Sequence, residues 1–181
     1  AGDDTTDTVG VLPDYIEDVP VTTVGASAFN GRTLPTEVII PETVTTIENA
    51  AFMNCTSLET IIIPDSVTYI GESAFQGCTA LKNVIIGNGV KEIGDIAFKG
   101  CTALESVTVP SGTTELSATF EGCTSLRSVI LPDTLRSIAS YAFSYCENLT
   151  ALHIPAGVTD IAPDAFSPYC GVENFTVSEE N

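Results

Sequence analysis

The stretch Leu58-Glu59-Thr60-Ile61-Ile62-Ile63-Pro64-Asp65-Ser66-Val67-Thr68-Tyr69-Ile70-Gly71-Glu72-Ser73-Ala74-Phe75-Gln76-Gly77-Cys78 decides the fold, because the chain repeats it. Its phenylalanine recurs as Phe29, Phe52, Phe75, Phe98, Phe120, Phe143 and Phe166, at spacings of 23, 23, 23, 22, 23 and 23 residues. Ala precedes every ring except Phe120, where Thr119 stands. An aliphatic residue lies five positions before six of the rings, from Val24 and Ile47 to Ile138 and Ile161. Leu116 lies only four before Phe120, which locates a one-residue deletion between them. Leu58, Leu81, Leu104, Leu126 and Leu149 each follow a ring by six, and a third column ends in proline, as in Ile40-Pro41, Ile63-Pro64 and Val109-Pro110. Self-similarity at a fixed period in this range is the signature of a stacked-repeat architecture.

Within one unit, Thr60 to Ile63 is short and rich in β-branched residues, so it predicts one strand per repeat. Pro64 ends it, having no N–H for another ladder bond. The segment around Glu72 to Gln76 has the length of a single helical turn, α or 3₁₀. Twenty-three residues leave no room for a full crossover helix in each unit. They suit a coil in which each strand pairs in parallel with its equivalent one repeat away. The expectation is an α/β solenoid with one parallel sheet of about eight short strands and short helical turns opposite. Strand ends fall at Leu12, Ile40, Ile63, Ile86, Val109, Leu131, Ile154 and Val177. At ~4.8 Å per strand the sheet is roughly 34 Å long. Residues 9–177 form a single domain with an irregular first unit at 9–34, between an acidic tail at 1–8 and a C-terminal tail at 178–181.

Composition limits the function. The 181 residues carry 24 Asp+Glu against 6 Lys+Arg, a formal charge of −18. No Lys/Arg surplus exists to neutralise phosphates, which argues against nucleic acid as partner, and no polybasic patch exists for anionic lipid. A hydrophobic fraction of 44% separates the chain from acidic disordered segments. Apolar runs are triplets such as Ile61-Ile62-Ile63, far below the ~20 residues of a spanning helix, so no membrane insertion is expected. Any secretory signal is expected to have been removed ahead of Ala1.

The columns Ile63-Pro64-x-x-Val67-Thr68-x-Ile70-Gly71-x-x-Ala74-Phe75-x-x-Cys78-x-x-Leu81 resemble the BspA-like leucine-rich repeat family. The opening Pro20-Val21-Thr22-Thr23-Val24-Gly25-Ala26-Ser27-Ala28-Phe29 is similar to the irregular first unit common there. The resemblance runs from about Val9 to Val177 and implies a right-handed leucine-rich-repeat solenoid. It further implies a surface or secreted protein of host-associated bacteria, serving adhesion or protein binding, with no catalytic residues to carry over. Local departures are Arg32 in the first Cys slot, Thr113 in a Val slot, and Ser167-Pro168-Tyr169-Cys170, which shifts the last Cys by one.

Cys55, Cys78, Cys101, Cys123 and Cys146 each stand three after a Phe. Parallel Cβ vectors about one strand spacing apart fit a disulfide poorly, since that bond wants ~3.8 Å and converging vectors. They read as a buried ladder of free thiols packed as small apolar groups. Zinc spacing is absent, and Cys170, off the ladder, is the candidate reactive thiol. His153 occupies an outward strand slot, with Ile130 and Thr176 as expected neighbours, and reads as a solvated or contact residue. The acids scatter over tails and loops without an aligned column for calcium. Asn54-Cys55-Thr56, Asn148-Leu149-Thr150 and Asn174-Phe175-Thr176 match the glycosylation sequon, a short and permissive pattern. No catalytic, cofactor-binding or metal-binding residue is assigned.

Side chains alternate along a strand, so if Ile61 and Ile63 point inward, Thr60 and Ile62 point outward. The outward column then reads Val11, Ile39, Ile62, Ile85, Thr108, Ile130, His153 and Thr176. Its companion reads Glu37, Thr60, Asn83, Ser106, Ser128, Ala151 and Asn174. Val11 to Ile85 form an aligned apolar stripe, which marks a contact site more often than scattered residues do; the plainer account is that Ile and Thr simply suit strands and a flanking loop covers them. The expected function is a non-enzymatic cell-surface or secreted module that binds a host or bacterial surface or matrix protein through the concave sheet face, or self-associates there. A glycan-binding or glycan-active solenoid is the rival, though an enzyme would converge Asp/Glu with Arg or Lys on one outward patch. A passive structural spacer is the third reading.

Overall fold

In a computed structural model of the chain, residues 9–178 are described; the acidic tail at 1–8 and residues 179–181 lie outside them. The strands are β1 (Val9–Val11), β2 (Tyr15–Ile16), β3 (Val19–Pro20), β4 (Thr23–Val24), β5 (Glu37–Ile39), β6 (Thr46–Ile47), β7 (Thr60–Ile63), β8 (Tyr69–Ile70) and β9 (Asn83–Ile86). They continue as β10 (Glu92–Ile93), β11 (Ser106–Thr108), β12 (Glu115–Leu116), β13 (Ser128–Ile130), β14 (Ser137–Ile138), β15 (Ala151–Ile154), β16 (Asp160–Ile161) and β17 (Asn174–Val177). The expected strand positions are all occupied. Six of them, β1-β5-β7-β9-β11-β13, form one parallel sheet, and β15 pairs with β17 as a separate ladder.

Two expectations are corrected. The expected α/β class is overturned: no helix occurs among the described residues, and the protein is an all-β solenoid. The segment expected to be a helical turn alternates its backbone instead, with Ser73 at φ 58° and Gly77 at φ 73°. A helix needs consecutive right-handed residues, and left-handed ones at this interval forbid it. The N–H groups of Ser73, Phe75 and Gly77 therefore donate to Asp95, Ala97 and Lys99 in the next unit at 2.8–3.0 Å. Those of Ala74, Gln76 and Cys78 close local four-residue turns. The second correction is that the coil carries further parallel ladders of two-residue strands, β4-β6-β8-β10 and β12-β14-β16. These place the aliphatic column, Ile47 beside Ile70 and Ile70 beside Ile93, under a second face.

The core is the stack of repeat columns. Neighbouring phenylalanine rings lie 5.1–5.9 Å apart, with interplanar angles from 3° to 19°. Phe52 to Phe143 are fully buried, as are Leu58 through Leu149 in their column. The end rings Phe29 and Phe166 are half-buried. Offset between successive rings is the arrangement their quadrupoles favour. A unit alone exposes one face of its ring, so burial is supplied by neighbours. The widest ring spacing, 5.9 Å, falls between Phe98 and Phe120, across the unit that lacks a residue.

The first unit adds an antiparallel hairpin, β2 with β3. Its central Glu17 and Asp18 have φ of 50° and 64°, as a two-residue turn matched to strand twist requires. No helix among the described residues is long and apolar enough to cross a membrane.

Candidate binding face

The sheet presents the outward column that alternation predicts. In β7, Ile61 and Ile63 are buried while Thr60 and Ile62 are half-exposed. Parallel register aligns Val11 with Ile39, Ile39 with Ile62 and Ile62 with Ile85. Thr108 aligns with Ile130 on the far side of the same sheet. Val11 is 66% exposed, Ile85 57% and Ile130 61%, so no flanking loop covers these three. Ile39 and Ile62 are half-buried, sheltered within the row. The companion column is polar: Glu37, Thr60 and Asn83 align in turn, and the Asn83 amide reaches the Thr60 hydroxyl at 3.5 Å. Beside it the exposed Lys82–Glu59 pair closes at 2.8 Å, a surface contact worth little by itself.

His153 is exposed on β15 and pairs in register with Thr176. Its Nδ1 lies 2.9 Å from the Thr176 hydroxyl and its Nε2 2.8 Å from that of Ser178. Ser178 was missed because it lies beyond the last strand. Ile130 is no ladder partner of His153: sheet pairing among the described residues is interrupted between β13 and β15. Two hydroxyls orient the imidazole, but neither is a carboxylate of the kind that polarises a base.

The thiols are free, and the ladder has more chemistry than apolar filling. Cys55, Cys78, Cys101, Cys123 and Cys146 each donate through sulfur to the carbonyl of the Phe one unit earlier, at 3.0–3.3 Å. The carbonyls of Phe52, Phe75, Phe98 and Phe120 thus each accept an S–H from the next unit and the N–H of the Cys in their own unit. Burial pushes the Cys101 thiol up to about 12, and burial raises Cys123 and Cys146 too. Cys78 is raised first by its hydrogen bond with Cys55 and then by burial. Cys170, the candidate reactive thiol, is half-buried and is likewise pushed up by burial. A thiolate is the nucleophile, so this shift works against reactivity.

A groove of about 510 Å³ runs along the short strands, lined among others by Tyr69, Glu72, Lys91, Glu92, Asp95 and Glu115. Every charged side chain in it is exposed. No group of three or more His, Cys, Asp or Glu placed to hold a metal occurs among the described residues.

Parallel strands on one side, stacked rings and aliphatic columns inside, and a repeat of 23 residues define a leucine-rich-repeat solenoid. The chain belongs to the BspA-type leucine-rich repeat family, whose model matches six copies over residues 16–119 and 116–181. It is similar to a leucine-rich cell surface protein from Faecalibacterium prausnitzii, with 36% identity and a TM-score of 0.85 over 96% of this chain and 48% of that one. A leucine-rich repeat protein from Bacteroides ovatus is also 36% identical, with a TM-score of 0.83 over 93% of this chain and 45% of that one. The T. pallidum leucine-rich repeat protein is 30% identical, with a TM-score of 0.70 over 93% and 68%. The chain spans about half the length of the first two. Comparison with curated proteins gives no significant match.

Proposed function

We propose that this solenoid is a non-enzymatic, surface-displayed or secreted interaction module that binds a protein through the outward column of its sheet. The observation that carries the reading is the in-register row Val11, Ile39, Ile62 and Ile85, apolar and open at Val11 and Ile85. Burying one such side chain contributes about 1.5–3 kcal/mol, so a partner covering the row has ample driving force. The polar companion column supplies hydrogen-bonding groups along its edge, the apolar-centre and polar-rim arrangement of protein interfaces. The cell-surface description of the F. prausnitzii relative supports an extracellular location. The partner class is a host or bacterial surface or matrix protein, with a second copy of the chain as the competing occupant.

The test is a binding screen against purified matrix proteins, with light scattering on the same samples. Ile62→Lys/Ile85→Lys, whose side chains leave the core intact, should abolish the captured interaction or the self-association. Unaltered binding by the double variant would reject the sheet face.

A further inference from the structure

The residue two after the ring is left-handed in every unit from Phe29 to Phe143: Gly31, Asn54, Gly77, Gly100, Gly122 and Tyr145, with φ from 57° to 75°. Glycine and asparagine adopt that conformation at little penalty, whereas a bulky side chain there is an outlier. The backbone bond at Tyr145 does not need its ring. Its N–H donates to Pro168 at 2.9 Å, as Gly122 does to Ser144 at 2.8 Å without a side chain. In the last unit, shifted by one residue, Tyr169 is again left-handed at φ 56°. The two rings meet at 5.5 Å, tilted by 35°, and stand 39% and 73% exposed. Tyr141, left-handed at φ 58° in the same turn as Tyr145, is 45% exposed. Three of the five tyrosines in the chain thus lie in the turns of the last two units, at backbone positions that disfavour them. Strain retained where glycine or asparagine serves the sister units points to function, and tyrosine is enriched where interfaces bind most tightly.

The partner's chemistry follows from the ring faces and the charge around them. Aromatic faces are electron-rich and attract cations. Glu147, two residues beyond Tyr145, is exposed, as is Glu173, and the whole chain carries −18. A guanidinium stacks flat on an aromatic ring while its fork reaches a carboxylate, which the compact ammonium of lysine does less well. We infer that the Tyr145–Tyr169 pair is a docking surface for an arginine-bearing segment of a protein partner, separate from the sheet face.

The test titrates octa-arginine and octa-lysine peptides and a neutral maltoheptaose into the protein at 0.15 M salt. The chain has five tyrosines and no tryptophan, so the part of the intrinsic tyrosine fluorescence change that the double variant removes reports on the patch, with calorimetry as the second readout. The variants are Tyr145→Gly, Tyr145→Asn and Tyr145→Gly/Tyr169→Gly. They install residues that sister units already carry at the first position, so melting midpoints should hold or rise. The wild type should prefer octa-arginine over octa-lysine about three-fold, and the double variant should bind octa-arginine roughly ten-fold more weakly, as expected for losing two ring contacts. Equal affinities for the two peptides, or an octa-arginine affinity unchanged in the variants, would overturn the proposal. So would maltoheptaose binding that the variants lose while peptide binding stays the same, since the surface would then be a glycan site.

Discussion

The hydroxyl of Thr119 accepts the N–H of Ser117 at 3.1 Å. In the other units the equivalent N–H donates across the coil, as Gly71 does to Ile47 at 2.8 Å and Ala139 to Leu116 at 2.8 Å. The deletion before Phe120 removes that ladder bond, and the one threonine in the alanine column supplies a local acceptor instead. Thr119→Ala should therefore destabilise by about 1 kcal/mol through an under-satisfied N–H, and Thr119→Ser should restore most of it. Urea midpoints of the three proteins check this; an alanine variant as stable as wild type would show the bond to be incidental.

Truncating an interior ring should be far more damaging. Phe75→Ala leaves a hole between two stacked neighbours and should cost about 3–5 kcal/mol, a large part of the roughly 5–15 kcal/mol that holds a domain together. Phe29→Ala, at the half-buried end of the stack, should cost distinctly less. Calorimetric melting separates the two, and equal effects would contradict a continuous spine.

Thr113 is 1% exposed, and its hydroxyl has no hydrogen-bond partner among the described residues. It occupies the slot that Val44, Val67 and Val90 fill elsewhere. Thr113→Val removes an unsatisfied buried polar atom at nearly constant shape and should stabilise by about 1–2 kcal/mol. A lowered unfolding midpoint would mean that the hydroxyl has a partner in solution.

The raised thiols of Cys78, Cys101, Cys123 and Cys146 predict a loss of stability in alkali. Burial raises the Cys101 thiol from 9.0 to about 12, so the folded protein keeps a proton that the unfolded chain releases. The contribution is intact below about 9 and lost as pH rises toward 12. Unfolding midpoints between pH 8 and 11 should fall, and the slope should be shallower in Cys101→Ala. A thiol reagent at neutral pH should reach Cys170 first and all six thiols only after unfolding; rapid native reaction of the ladder would sink this account.

The columns were legible because each stacks on itself: ring, aliphatic and thiol positions repeat in phase, and burial follows. The turn was misread because a seven-residue segment such as Gly71 to Gly77 is too short to show helical periodicity, and its alternating backbone at Ser73 and Gly77 leaves no trace in hydropathy. Pairs such as Tyr69-Ile70 are likewise too short for strand alternation to register. The hairpin at Glu17-Asp18 lacks the glycine that would have announced it. Of the candidate face, the outward column followed from alternation alone, whereas Ser178 beside His153 did not. The tyrosine pair did carry a signal, since Tyr145 breaks a column of glycine and asparagine.

One bonding pattern gives the turn side of the coil a direction. On the turn side, Phe29 donates to the carbonyl of Ala51, Phe52 to that of Ala74, Phe75 to that of Ala97, and so on to Phe143 and Ala165. Two flanking rows, starting at Ser27 and Gly31, run the same way. In an ordinary sheet such peptide dipoles alternate and nearly cancel, but along this one face they add head to tail, as along a helix. This face therefore ends in carbonyls toward Ala28 and in amides toward Phe166, whereas rows on the other faces, such as Glu48 to Val24 and Gly71 to Ile47, run the opposite way and offset it across the coil. Further coils can be appended to either end in only one polarity.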